Sequence, residues 1–261
     1  MDAAGNVRSN RRLGQVFLIN EGVAYAEAAH AHGKVVIEIG PGPGMLTQFL
    51  CQNAKKVIAV EKDLRLYTIL KHEMHEDNLV LINKDFLDAT DRELELENAD
   101  ILISNIPYNL SSSVIGWLAE KRMQAVLCLQ KEFVDHMLAR PNTKDYSKLS
   151  VITSLLFRVT RIMHVSRGSF RPIPKVDSEV VYIKPLGASI TDRQLYLIGL
   201  IMQHKKKTLR NAIIDSHSGL GIDKDRCGEL AARLDGNERR VFKMDPQEIL
   251  EASRKLEKLL E

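Results

Sequence analysis

The four residues Asn105-Ile106-Pro107-Tyr108 combine groups that could hold a planar exocyclic amine and the aromatic base that carries it. Asn105 offers a side-chain carbonyl, Ile106 a backbone carbonyl, and Tyr108 a flat ring face. The apolar run 99–104, which is typical of a buried parallel strand, precedes them. Ligands of open α/β sheets bind at this carboxyl edge of the strands. A simple strand-ending turn uses similar residue types, so the other strand ends must decide between the two interpretations.

The elements that would position this tetrapeptide follow from the spacing of apolar residues. Apolar, often β-branched runs predict strands, with helical segments between them, at 35–39, 57–60, 79–82, 99–104 and 125–129. Such alternation predicts a doubly wound, mostly parallel α/β sheet. Two more strands are expected at 158–165 and 177–184. After Pro185 the pattern is helical only, at 191–203, 206–215, 223–234 and 246–260. We expect a Rossmann-like domain over 1–186 and a small all-helical domain over 187–261.

Glycines and acids follow three neighbouring strands of this sheet. Gly40, Gly42 and Gly44 follow the strand 35–39 and would let the backbone approach a ligand closely. The third glycine of a dinucleotide fingerprint would stand at position 45, which is Met45. Glu61 could accept from both ribose hydroxyls, and Asp85 could accept from an adenine amine. A nucleoside site without a pyrophosphate cradle suggests S-adenosylmethionine rather than NAD.

The charge pattern favours a nucleic-acid surface only locally. The chain has 261 residues and a formal net charge of +3, with 44% hydrophobic and 27% charged residues, as in ordinary globular proteins. Residues 158–175 contain five Lys or Arg and no acid, and a second basic group stands at 204–210. Arg8, Arg11 and Arg12 form a third group at the N-terminus. Three clusters around one candidate site predict a phosphate-binding surface.

Other classes of site have little support in the sequence. Cys51, Cys128 and Cys227 are widely separated and lie in apolar or helical sequence, so we expect small buried side chains in a reducing compartment. No Cys or His spacing suggests a metal, and no apolar run approaches the length of a membrane span. We therefore expect a cytoplasmic, monomeric protein that binds neither a membrane nor a metal.

Taken together, these motifs resemble the KsgA-type small-subunit ribosomal RNA adenine dimethyltransferases over essentially the whole chain. Glu61, Asp85 and Asn105-Ile106-Pro107-Tyr108 carry part of the resemblance. The other matching segments are Leu13-Gly14-Gln15-Val16-Phe17-Leu18, Glu38-Ile39-Gly40-Pro41-Gly42-Pro43-Gly44-Met45-Leu46-Thr47, Gln130-Lys131-Glu132, Thr143-Lys144-Asp145-Tyr146-Ser147-Lys148-Leu149-Ser150, Phe170-Arg171-Pro172-Ile173-Pro174-Lys175-Val176-Asp177-Ser178 and Gln203-His204-Lys205-Lys206-Lys207. The short N-terminus and the Thr143–Tyr146 stretch look more archaeal than bacterial.

The resemblance implies a class I S-adenosylmethionine-dependent methyltransferase. Its substrate would be two adjacent adenines in a 3′-terminal hairpin loop of small-subunit rRNA, modified at N6 in an immature ribosomal subunit during ribosome biogenesis. The implied cofactor-binding residues are Gln15, Val16, Leu18, Gly40, Gly42, Glu61, Lys62, Asp85, Phe86 and Asn105. The implied catalytic residues are Asn105, Ile106, Pro107, Tyr108 and Phe170. We expect RNA to contact Arg11, Arg12, Arg167, Arg171, Lys175, Lys205, Lys206, Lys207 and Arg210.

One residue departs from the family pattern, and three other functions stay open on sequence grounds. Position 16 is usually Asn, His or Cys in this family and is Val16 here, which puts a side-chain contact to the cofactor in doubt. The alternatives are a dimethyltransferase of large-subunit rRNA, a non-catalytic RNA-binding assembly factor, and a DNA adenine methyltransferase. The helical C-terminal segment and the intact tetrapeptide argue against the first two. The third usually has two prolines where this chain has Ile106-Pro107.

Overall fold

The computed structural model describes residues 15–260, which form two compact units. The first unit contains the chain up to Glu132 together with Val159–Pro185. The second contains Phe133–Arg158 and the chain from Leu186 onward. The sequence analysis placed 133–158 in its first domain, 1–186, whereas the structure groups this segment with the C-terminal helices. Its side chains Tyr146, Val151 and Leu155 are buried in the same hydrophobic core as those helices.

A seven-stranded sheet forms the centre of the first unit. Its strands are β2 (Val35–Ile39), β3 (Lys56–Glu61), β4 (Leu79–Asn83), β5 (Ile101–Ser104), β6 (Ala125–Gln130), β7 (Phe157–Val165) and β9 (Ser178–Pro185). The order is β4-β3-β2-β5-β6-β9-β7, with parallel pairing from β4 to β6 and antiparallel pairing of β9 with β6. This confirms the predicted mostly parallel, doubly wound sheet. The chain order reverses between β2 and β5, so residues after these two strands meet at the usual ligand-binding crevice.

Helices cover this sheet. They are α1 (Glu21–Ala28), α2 (Met45–Asn53), α3 (Leu64–Glu73) and α4 (Ser111–Lys121). The Asn20 and Asp63 side chains cap α1 and α3 by accepting bonds from backbone N–H groups two or three residues ahead. A further helix that the sequence pattern does not predict, α5 (Lys131–Met137), runs from the first unit into the second. Ser111 is the first residue of α4 rather than its cap, and its hydroxyl donates to the Tyr108 carbonyl at 3.0 Å.

A short antiparallel ribbon lies beside this sheet. It pairs β1 (Phe17–Leu18) with β8 (Phe170–Arg171), so that Phe17 is opposite Arg171 and Leu18 is opposite Phe170. The N–H of Ile19 extends the ribbon by donating to the Ser169 carbonyl at 2.8 Å. The pairing holds the segment around Phe170 against the N-terminal segment, although the two stand about 150 residues apart in the sequence.

The second unit is helical. Its elements are α6 (Lys148–Leu156), α7 (Asp192–Gln203), α8 (Leu209–Asp215), α9 (His217–Leu220), α10 (Lys224–Ala232) and α11 (Pro246–Leu260). Its core is aliphatic, and the buried Tyr146 hydroxyl donates to the Met244 carbonyl at 2.9 Å. Helix α8 begins at Leu209 rather than at 206 because Thr208 caps it. Among residues 15–260, no helix is long and apolar enough to cross a membrane.

Candidate active site

A cavity of about 220 Å³ lies at the carboxyl ends of β2, β3, β4 and β5. It is lined by residues from each of these strand ends and from the N-terminal segment: Gln15, Val16, Phe17, Ile39, Gly40, Gly42, Val60, Glu61, Lys62, Leu66, Lys84, Asp85, Phe86, Asn105, Pro107, Asn109 and Leu110. Nearly all of the predicted cofactor residues are therefore brought together here.

The glycine turn after β2 forms one wall of this cavity. Gly40 and Gly42 have φ values of +62° and +59°, a region that other residues adopt only with strain. A Cβ at Gly42 would also lie 3.2 Å from the Phe17 ring. The turn therefore needs glycine at position 42 both for its backbone conformation and for the space that Phe17 occupies.

Glu61, at the end of β3, is buried beneath the glycine turn. One carboxylate oxygen accepts from the Gly42 N–H at 3.2 Å, and the other accepts from the Asp63 N–H at 2.8 Å. Burial raises the pKa of Glu61, and these two backbone bonds partly offset that rise. Each oxygen keeps a further lone pair. The position suits a carboxylate that accepts from two neighbouring hydroxyls of a bound sugar.

Asp85 and Lys62 form an ion pair at the rim of the cavity, with Nζ and Oδ2 2.5 Å apart. The hydrogen bond from Lys62 holds the pKa of Asp85 below its usual range, so this carboxyl stays an acceptor. Asp85 also accepts from the Leu87 N–H at 3.1 Å. Phe86 is buried beside it, edge-on to Trp117 with ring centroids 4.9 Å apart. An acceptor next to an apolar ring fits the predicted adenine contact.

The N-terminal segment closes one side of the cavity. The Gln15 amide donates to the Asp63 carboxylate at 2.9 Å, and Val16 lines the cavity two residues before Leu18. Leu18 differs from its predicted role, because its side chain is buried in the hydrophobic core and does not line the cavity. Phe17, the preceding residue of β1, lines the cavity, and successive side chains of a strand point to opposite faces, which turns Leu18 away from it.

A second, much smaller cavity of about 10 Å³ adjoins the first. Its lining comprises Val16, Asn105, Ile106, Pro107, Tyr108, Cys128 and Phe170. Val16, Asn105 and Pro107 line both cavities, so the tetrapeptide after β5 separates them. All five predicted catalytic residues line the smaller cavity. Asn105 therefore lies between the two cavities.

The two aromatic residues of the smaller cavity are held by polar contacts. The Tyr108 hydroxyl lies 3.0 Å from the Ser178 hydroxyl, and burial raises the pKa of the Tyr108 phenol. Phe170 is fixed through the backbone pairing of β8 with β1. The Phe170 ring is buried in the hydrophobic core of this unit, whereas Tyr108 is partly exposed.

Asn105 is held by a residue that the sequence analysis did not identify. Its amide nitrogen donates to Oε2 of Glu27 at 2.9 Å. Within the described part of the chain, the buried Asn105 Oδ1 has no hydrogen-bond partner. No donor among the described residues reaches the Ile106 carbonyl either. The two acceptors predicted for an amine thus have no partner within residues 15–260.

One signal in the sequence could have identified Glu27. Residue 27 stands four positions after Val23 and three after Ala24, and all of these residues lie on the buried face of α1. A carboxylate on the apolar face of a helix is rare unless it has a partner. Burial raises the pKa of Glu27 to about 8, and burial likewise raises the pKa of Glu38 in β2 to about 8.

The residues predicted to bind RNA have different environments. Arg11 and Arg12 lie outside the described residues. Arg167, Arg171 and Lys175 are exposed in the first unit, and Lys206 and Arg210 are exposed in the second. Lys205 instead donates to the backbone carbonyls of Lys144 and Tyr146, and Lys207 pairs with Asp215. Lys205 therefore has an internal role that the sequence does not reveal.

The remaining expectations concern cysteines and metals. Cys51, Cys128 and Cys227 are free and buried, which confirms the prediction made for them. In the range 15–260 no group of three or more His, Cys, Asp or Glu could hold a metal ion.

Comparison with known proteins gives one consistent result. The family model described as "Ribosomal RNA adenine dimethylase" matches residues 6–223. A "Probable ribosomal RNA small subunit methyltransferase A" of Thermococcus kodakarensis is 36% identical over 261 residues, covering 97% of this chain and 92% of that protein. The crystal structure of a dimethyladenosine transferase from Plasmodium falciparum has a TM-score of 0.78 at 28% identity, covering 93% of this chain and 98% of that one.

A third match concerns the fold alone. The crystal structure of a 23S rRNA methyltransferase, ErmE, has a TM-score of 0.61 at 22% identity and covers 92% of this chain and 99% of that one. Together with the Plasmodium structure, it identifies the fold as that of a class I methyltransferase.

Proposed function

This chain belongs to the ribosomal RNA adenine dimethylase family, an S-adenosylmethionine-dependent group of enzymes, and we propose that it dimethylates N6 of two adjacent adenines in a 3′-terminal hairpin loop of small-subunit rRNA. The observation that carries the proposal is the pair of unused acceptors at Asn105 Oδ1 and the Ile106 carbonyl. They lie between the larger cavity at the strand ends and a smaller cavity lined by Tyr108 and Phe170. The small subunit is proposed because the Thermococcus relative is named for it.

The larger cavity fits S-adenosylmethionine on three observations. Glu61 supplies a buried carboxylate for ribose hydroxyls, Asp85 an acceptor beside the apolar Phe86, and Gly42 a turn that any Cβ would obstruct. Gln15, Gly40 and Asn105 would complete the site. S-adenosylmethionine, when bound, supplies the methyl group that the amine receives. Val16 contributes an apolar surface here, where a polar side chain is usual in the family.

The tetrapeptide would activate the amine by favouring a pyramidal geometry at its nitrogen. The N6 amine of adenine is a weak nucleophile because its lone pair is delocalised into the ring. Asn105 Oδ1 and the Ile106 carbonyl can each accept one N–H, which favours a pyramidal nitrogen and frees the lone pair for attack. Placement and fixed dipoles supply the catalysis, so no dedicated general base is needed.

The smaller cavity would receive an adenine that has left its stack. Flipping a base out of a helix costs a few kcal/mol. Contacts with Tyr108 and Phe170 would return roughly 1–3 kcal/mol for each stacked ring. This balance favours an unpaired or loosely stacked base, as found in an RNA loop. After the first transfer the methylated nitrogen is positively charged and loses one proton to solvent. One N–H then remains, and either carbonyl can accept it for the second transfer.

Exposed basic side chains would hold the surrounding RNA through its phosphates. The proposed contacts in the first unit are Arg167, Arg171 and Lys175, and in the second Lys206 and Arg210. Arg240 lines a surface pocket together with Lys206 and is a further candidate. Phosphate contacts release counterions, so we expect the affinity for RNA to fall steeply as salt increases.

The proposal is tested by incubating the enzyme with labelled S-adenosylmethionine and purified immature small subunits, followed by mapping of the methylated adenines. We expect label on two adjacent adenines near the 3′ end of the small-subunit rRNA. Large subunits and DNA in parallel reactions test the rival substrates. Label confined to large-subunit rRNA, or to DNA, would overturn the assignment of the substrate.

A further inference from the structure

Glu27 forms a buried hydrogen bond with Asn105, and the proposed activation of the amine does not explain why a carboxyl stands there. Glu27 lies in α1, is completely buried, and is 78 residues from Asn105 in the sequence. A buried carboxyl is costly to desolvate. The presence of a carboxyl at this buried position is explained if it fixes the position or orientation of Asn105, the residue that it contacts.

An asparagine amide has two faces of opposite hydrogen-bonding character. Its nitrogen only donates, and its oxygen only accepts. If Asn105 turned by half a rotation, its NH₂ group would replace Oδ1 at the unused acceptor position, and it could no longer accept from an amine. The catalytic proposal therefore requires that one of two nearly isosteric orientations be selected.

We propose that Glu27 is a positioning residue whose carboxylate selects the Asn105 orientation in which Oδ1 is left for the substrate amine. The inference rests on the proposed role of Asn105. An ionised carboxylate can only accept, so it bonds with the Asn105 NH₂ group and repels Oδ1. The structure has this arrangement, with a 2.9 Å bond from Nδ2 to Oε2 and no partner for Oδ1 among the described residues.

The selection depends on the ionisation of Glu27. A protonated carboxyl carries an O–H that could donate to Oδ1 of a turned Asn105. The neutral acid can therefore form a hydrogen bond with Asn105 in either orientation. The charge of Glu27 in turn contributes to the raised pKa values of Glu38 of β2 and Cys128 of β6. No Lys, Arg or His within residues 15–260 forms an ion pair with Glu27. Burial raises the pKa of Glu27 to about 8, so ionisation and selection both increase as the pH rises through that region.

The decisive variant is Glu27→Gln, which keeps the size of the side chain. Its amide can accept from Asn105 through oxygen or donate to it through nitrogen, so the selection is lost while the packing is retained. If both orientations are equally favoured, half of the molecules present the Asn105 nitrogen to the amine, so we expect kcat to fall about twofold at pH 9, where Glu27 of the unsubstituted protein is ionised. The KM for S-adenosylmethionine should change less than twofold. The matched control is Glu21→Gln, an exposed residue of the same helix, which should leave both constants unchanged.

A spectroscopic readout tests the tether without relying on catalysis. In protein labelled with ¹⁵N-asparagine, the Asn105 side-chain NH₂ signals are identified by their loss in Asn105→Ala. We expect these signals in the unsubstituted protein to shift with pH as Glu27 ionises, and this shift to be absent in Glu27→Gln. A positioning role is overturned if the signals do not respond to Glu27, or if Glu27→Gln has unchanged kcat at every pH.

The two readouts separate failure of this inference from failure of the proposed function. If Asn105→Ala retains its activity, the proposed catalytic role of Asn105 fails, whatever the NMR titration shows. If Asn105→Ala is inactive but Glu27→Gln is fully active, the catalytic role stands and the positioning role is overturned. A Glu27→Gln protein that unfolds more easily than the unsubstituted protein would show a structural role instead.

Discussion

Raising the pH from 5 to 8 should destabilise this protein, and Glu27→Gln should remove a large part of that effect. Burial raises the pKa of Glu27 from 4.5 to about 8, so between these values the folded state binds more protons than the unfolded state. Stability is then fully present below pH 4.5 and is lost as the pH rises toward 8. This direction is opposite to that of an ion-paired carboxylate.

The size of the change in unfolding free energy follows from the shift in the pKa of Glu27. One pKa unit corresponds to roughly 1.4 kcal/mol, so a fully buried carboxyl of this kind should cost on the order of 3 kcal/mol of unfolding free energy between pH 5 and 8. Glu38 behaves in the same way and is coupled to Glu27, because each charge raises the cost of forming the other. Removal of one carboxyl should therefore also ease the ionisation of its neighbour.

The assay is urea unfolding followed by circular dichroism at pH 5, 6, 7 and 8. We expect Glu27→Gln to match the unsubstituted protein at pH 5 and to exceed its unfolding free energy by about 3 kcal/mol at pH 8. Burial lowers the pKa of His30, which gives a trend of opposite sign, but it acts equally in both proteins and cancels in the difference. Parallel curves for the two proteins would refute the reasoning, and Glu21→Gln serves as the control.

Three further changes test the site. Gly42→Ala adds a Cβ 3.2 Å from the Phe17 ring at a φ of +59° and should weaken S-adenosylmethionine binding at least tenfold by calorimetry. Gly33→Ala, at a φ of +69° with no atom within 4 Å, should not alter binding. Tyr108→Ala should lower kcat/KM for RNA by about 5- to 150-fold through lost stacking, whereas Tyr108→Phe should retain most of the activity. Lys206→Ala should reduce the slope of log affinity against log salt by about 1 if it contacts one phosphate.

Each of these changes has an outcome that would count against the account. Equal affinity of the Gly42 and Gly33 variants would mean that the glycine turn does not adjoin the cofactor. A Tyr108→Phe enzyme as impaired as Tyr108→Ala would assign the role to the hydroxyl rather than to the ring. An unchanged salt slope after Lys206→Ala would remove that residue from the RNA surface.

The sequence predicts those parts of the site that depend on local pattern. Gly42, Glu61, Asp85 and Asn105 each follow an apolar run, and parallel pairing places the ends of such runs at one edge. For these residues, local hydrophobicity and chain connectivity are sufficient.

The contacts that the sequence did not reveal join residues far apart in the chain. Glu27 meets Asn105 only because α1 packs against the sheet, and no local pattern specifies that partner. The pairing of Leu18 with Phe170 turns the Leu18 side chain into the core, where a cavity contact had been expected. Lys205 is drawn to the carbonyls of the 144–146 loop and so differs from its exposed neighbour Lys206.

Methyl transfer by Asn105→Ala is the most direct test of the account. The variant should bind S-adenosylmethionine with near-normal affinity, because Glu61 and Asp85 remain in place. Its rate on immature small subunits should fall by about 100-fold or more, the usual effect of removing one preorganised polar group at a reacting centre. A variant that binds the cofactor normally and still dimethylates the two adenines at a near-normal rate would contradict the claim that Asn105 shapes the amine.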